Sequence, residues 1–114
     1  MDLAMRNQYR EIVRRIITEY AGFKPSYGEI EVETVFDEVG DHYELMYVGW
    51  NGPHRVHGSI IHVDIRNDTV WIQHDGTENG IALELMEAGI PREQIVLAFH
   101  PPDQRKLTPF AAGR

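Results

Sequence analysis

Two strand-forming runs, residues 56–66 and 69–74, are separated by only Asn67 and Asp68. A two-residue connection rich in Asn and Asp forces a tight β-hairpin and fixes its register. Arg66 then faces Thr69, Ile65 faces Val70, Val63 faces Ile72 and Ile61 faces His74. The last three pairs form the apolar side. On the other side Asp64 meets Trp71, His62 meets Gln73 and Ile60 meets Asp75. A one-residue slip would exchange the two faces, so the whole placement of polar groups hangs on this register.

The other elements follow from periodicity. Tyr9, Ile12, Val13, Ile16, Ile17 and Tyr20 recur at helical spacing and predict an amphipathic helix over residues 3–21. Gly22 stands where a left-handed cap is commonly used. Ile30, Val32, Thr34 and Phe36 alternate with Glu29, Glu31, Glu33 and Val35, which predicts a strand with one acidic, wet face. Val39-Gly40-Asp41 turns the chain into a second strand in which Tyr43, Leu45 and Tyr47 point inward. Asn51-Gly52-Pro53 is the next turn.

A second helix is expected over residues 78–88, with Ile81, Ala82, Leu85 and Met86 inward and Asp75 or Thr77 as N-cap. Gly89 suits its C′ position, and Pro91 opens a short turn through Gln94. Residues 95–99 form a fifth strand or a packed extended segment. The expected fold class is α+β: an antiparallel β-meander of four to five strands, an N-terminal helix, and a second helix after the fourth strand. All 114 residues form a single domain.

Composition narrows the function. The chain has no cysteine, which excludes disulfides, thiolate nucleophiles and cysteine-bound zinc. No apolar run is long enough to span a bilayer, and the amino terminus lacks the pattern of a signal peptide, so a cytoplasmic protein is expected. The formal net charge is −7. Phosphate backbones repel such a surface, which disfavours autonomous nucleic-acid binding. Arg6, Arg10 and Arg14 do share a helix face, yet such rows are usually solvated flanks.

Catalytic patterns are sparse. Ser26 and Ser59, the only serines, lie in no nucleophile elbow, and Gly76-Thr77-Glu78-Asn79-Gly80 lacks the lysine of a phosphate loop. His62, Asp64, His74 and Asp75 have metal-ligand character, and a small metal-dependent enzyme using His62, Asp64 and Asp75 is the alternative reading. In the register above His74 points away, and Asp75 is occupied at the helix start. No cofactor is called for. A sheet face carrying Trp71 among His62, Asp64 and Gln73 reads instead as a contact surface, unless the amino-terminal helix or the tail covers it. Trp50 and the Glu29, Glu31, Glu33 row extend that candidate surface.

The sequence resembles the XisI proteins, the fdxN element excision controlling factors of cyanobacteria. The resemblance is carried by Lys24-Pro25-Ser26-Tyr27-Gly28-Glu29-Ile30-Glu31, Asp41-His42-Tyr43, Val48-Gly49-Trp50 and Ile61-His62-Val63-Asp64-Ile65. It continues through Val70-Trp71-Ile72-Gln73-His74-Asp75-Gly76-Thr77-Glu78, Gly89-Ile90-Pro91 and Phe99-His100-Pro101. The resemblance implies an accessory role in developmentally regulated DNA excision during heterocyst differentiation. It also implies action beside an XisH-like, nuclease-like partner and no recombinase activity of its own. It brings no active site with it. A homodimer or a complex with the XisH-like protein is the expected working form.

Overall fold

The computed structural model describes residues 3–113. The order is α1 (Leu3–Ala21), β1 (Glu29–Asp37), β2 (His42–Asn51), β3 (His54–Arg66), β4 (Thr69–Asp75), α2 (Ala82–Glu87), a 3₁₀ turn (Arg92–Gln94), β5 (Ile95–Leu97) and α3 (Pro102–Arg105). The five strands form one sheet in sequence order.

The first four strands are an antiparallel meander, as the alternation predicts. The fifth departs from it. β5 lies parallel to β4, pairing Val70 with Ile95 and Ile72 with Leu97. Placing α2 between two neighbouring strands makes a crossover, and a crossover returns the chain parallel. The sheet is therefore mixed.

One face of the sheet is packed. Tyr9, Ile12, Val13, Ile16 and Ile17 of α1 are buried against Tyr43, Leu45, Ile61, Val63, Val70 and Ile72, and Ile81, Leu85 and Ile90 close the core. Each such side chain contributes about 2 kcal/mol on burial. Tyr20 is held at the edge by donating its hydroxyl to Glu84 of α2 at 2.5 Å. Burial, then that hydrogen bond, pushes the Tyr20 phenol up to about 12.

Local expectations meet the structure unevenly. Gly89 adopts φ 120°, Ile90 N–H donates to Leu85 and Gly89 N–H to Met86, which is a Schellman cap. Gly22 is not left-handed, and its N–H simply donates to Glu19. The second helix begins at Ala82 rather than near residue 78. Asp75 instead organises the loop before it, accepting from Thr77 N–H at 3.0 Å, Thr77 Oγ1 at 2.6 Å and Ile81 N–H at 2.8 Å.

Two arginines of the expected solvated row are engaged. Arg10 donates to both oxygens of Asp41, at 2.7 and 3.0 Å, and Arg14 pairs with Glu38. Asp41 also accepts the Tyr43 hydroxyl at 2.9 Å and is only 8% exposed. Burial by itself would raise the Asp41 carboxyl. The Arg10 guanidinium and the Tyr43 hydroxyl more than offset that and hold it below the usual carboxylate range. A depressed folded-state value stabilises the protein above the unfolded value of about 3.9, and that stability is lost as pH falls through the lower folded one. Asp41→Asn should therefore destabilise at pH 7 by about 3 kcal/mol and flatten the stability loss below about pH 4, read by urea midpoints across pH. An unchanged acid limb would remove Asp41 from the acid response.

Candidate functional site

The face of the sheet turned away from α1 carries the polar residues singled out by the sequence, and two β-bulges decide which of them meet. Between β2 and β3 the register shifts at Leu45/Met46, where Ile60 is the extra residue. Between β3 and β4 it shifts at His62/Val63, where Gln73 is extra. A bulge sets two residues against one and resets the alternation of faces.

The hairpin register is consequently correct only near its turn. Arg66–Thr69, Ile65–Val70, Asp64–Trp71 and Val63–Ile72 pair as expected. Beyond the bulge, His62 faces His74 rather than Gln73, and Ile61 faces Asp75 rather than His74. His74 is exposed, not a core-edge residue. Asp75 lies opposite core residue Ile61 and is taken up by the loop, so it does not join His62 and Asp64.

At the centre of the outer face sits Asp64, 3% exposed. A charge so buried requires partners, and it has four. Its Oδ1 lies 2.7 Å from His42 Nδ1 and 2.8 Å from His62 Nε2. Its Oδ2 accepts from Gln73 Nε2 at 3.2 Å and, loosely, from Arg66 Nη2 at 3.4 Å. Burial would raise the Asp64 carboxyl, but the two histidines hold it low. The Asp64 hydrogen bond and charge in turn raise His42. His42 was not among the residues picked out as ligands from the sequence. The signal lay in strand alternation: His42 pairs with Asp64 across β2 and β3, and Glu44 pairs with His62.

Trp71 pairs with Asp64 on the same face but is only partly exposed. Arg66 and Arg105 lie over its ring, with guanidinium carbons 5.3 and 5.7 Å from the ring centroid. The carboxyl-terminal segment crosses it: Ala111 N–H donates to Ile95, and a β-carbon at Gly113 would lie 2.7 Å from the ring. Gly113 also has φ 83°, a conformation glycine adopts without strain. Among the described residues, Trp71 Nε1 is buried without an acceptor.

At the opposite end of the face Trp50 is 51% exposed, with the Arg55 guanidinium over its ring at 5.3 Å. Glu29, Glu31 and Glu33 are exposed on the edge strand β1 and pair with Trp50, Val48 and Met46. The sheet thus places an acidic row beside an apolar strip, some distance along the face from the Asp64 network.

These features define a small α+β protein with one helix-covered sheet face and one polar face that is largely open. The chain belongs to the XisI family, whose pattern it matches over residues 1–112. A solved XisI-like protein from Anabaena variabilis ATCC 29413 is 36% identical, with a TM-score of 0.86 over 92% of this chain and 96% of the other. The solved fdxN element excision controlling factor XisI from the same organism is 34% identical, with a TM-score of 0.84 over 96% of this chain and 99% of that one. No curated protein matches the sequence. No described helix is long and apolar enough to cross a membrane.

Cover by the tail makes a measurable difference between the two tryptophans. In a Trp50→Phe background, ending the chain at Phe110 should expose Trp71, red-shift its emission and increase iodide quenching. Unchanged quenching would mean that residues 111–113 do not shield the ring.

Proposed function

We propose that this chain is a non-enzymatic accessory factor of the kind its family name describes, acting on programmed DNA excision through contacts with an XisH-like protein. The reading rests on one observation: an exposed acidic row, Glu29, Glu31 and Glu33, flanks the apolar strip of Met46, Val48 and Trp50 on an open sheet face. A fixed patch of like charge beside an aromatic anchor suits a basic partner surface. The net charge of −7 adds long-range attraction to such a partner. Within this reading Trp50 and the three glutamates form the outer part of the contact, and His62, Gln73 and the rim of Trp71, organised by the buried Asp64, its inner part. Self-association through the same face or through edge strand β1 would compete with the partner.

Two other readings draw less support. Direct DNA binding through Arg6, Arg10 and Arg14 of α1 would need two arginines that are engaged, Arg10 by Asp41 and Arg14 by Glu38. A metal-dependent enzyme built on His62, Asp64 and Asp75 loses Asp75 to the loop before α2.

Co-expression with the XisH-like protein of the same genome, followed by size-exclusion with mass detection, should yield a hetero-complex. Charge reversal of Glu29, Glu31 and Glu33 to lysine should weaken it at least tenfold and flatten its salt dependence. If affinity and salt slope are both unmoved by the triple reversal, the acidic row is not the contact.

A further inference from the structure

The geometry points to a binding site for one divalent transition ion, of the zinc class, held by His42, His62 and Asp64. One ring nitrogen from each histidine and one carboxylate oxygen all lie within 4.8 Å of one another. Two imidazoles and a carboxylate form a donor set used by zinc and by ferrous iron.

Three observations support an ion at this cluster. First, both histidines converge on the same oxygen, Asp64 Oδ1, at 2.7 and 2.8 Å. A carboxylate oxygen accepts two hydrogen bonds readily, and the same convergence lets two ring-nitrogen lone pairs and Oδ1 face one cation. Ligand bonds of about 2.0–2.1 Å in a tetrahedral set separate donor atoms by roughly 3.3 Å, so each of the two nitrogen–oxygen separations must open by only about half an ångström.

Second, the other oxygen is already satisfied. Gln73 and Arg66 approach Oδ2, which holds the carboxylate in orientation, while the Arg66 charge also reaches His42. Third, the outer shell is acidic. Glu44 Oε1 is 3.8 Å from His62 Nδ1, the nitrogen not turned toward Asp64, and Asp37 acts electrostatically on His42. Carboxylates behind ligating histidines raise ligand basicity.

The backbone frame is rigid. His42 and Asp64 are directly paired between β2 and β3, and His62 lies two residues from Asp64 on the same strand. The His42 side chain is 53% exposed, so an ion could enter from solvent and keep an open coordination position. A side chain from a bound protein or a water would complete it. The site does not rest on the accessory-factor reading, and a null result in one leaves the other standing.

Untagged full-length protein, stripped with chelator, is titrated with Zn²⁺ against a chromophoric chelator and with Co²⁺ by visible absorption. One equivalent per chain and the intense visible bands of low-coordinate Co²⁺ are expected. His42→Gln and His62→Gln should each abolish both signals. Glu44→Gln should weaken Zn²⁺ binding on the order of tenfold to a hundredfold, and His57→Gln should leave it unchanged. Circular dichroism confirms that each variant folds, and the half-exposed His42 decides alone if His62→Gln does not. Absence of stoichiometric uptake overturns the site, as does uptake that survives His42→Gln or disappears with His57→Gln.

Discussion

The packing of the α1 stripe on the inner faces of β1, β2 and β3 is the contact from which the remaining architecture follows. Five residues of a 19-residue helix, Tyr9 and four aliphatic ones, are buried there against Tyr43 and aliphatic strand side chains. Because a strand alternates faces, fixing Tyr43, Leu45, Ile61 and Val63 inward forces their neighbours outward. The polar outer face is a geometric consequence of the core. Asp41 and Arg10 then pin the helix to the β1–β2 turn with a bidentate pair, tying the helix axis to the end of the sheet nearest the Asp64 network.

The outer face divides into two parts with different physics. Around Asp64 the groups are largely paired with one another, which suits a fixed, preorganised cluster. Around Trp50 they are exposed, charged and apolar together, which suits contact with another surface. The carboxyl-terminal segment marks the boundary on the β4 side by lying over Trp71. One protein can thus use a stiff polar centre and an adaptable rim on the same sheet.

Much of the architecture was legible from pattern. The α1 stripe, the alternation in β1 and β2, the Asn67-Asp68 turn and the role of Gly89 are local signals, and local signals survive folding. The departures are of another kind. The mixed sheet arises because β5 chooses a neighbour 20 or more residues back in the chain, and no local period encodes that choice. The exchange of His74 for Gln73 opposite His62 arises from a bulge whose residues look like any other strand residues. His42 stayed hidden because its importance comes from the strand beside it.

The sequence by itself determined most of the secondary elements, the apolar stripe, the acidic edge strand, the absence of thiol chemistry and the family. Each is a property of residue type and short-range spacing, where 3.6- and 2-residue periods and turn chemistry act. Tertiary structure alone decided which polar groups share a site. Asp75 left the candidate cluster for a loop, and His42 entered it from a neighbouring strand. Trp71 came to lie under a tail more than 35 residues away. Such convergence depends on strand order, bulge position and long-range cover, and these are fixed only when the core closes.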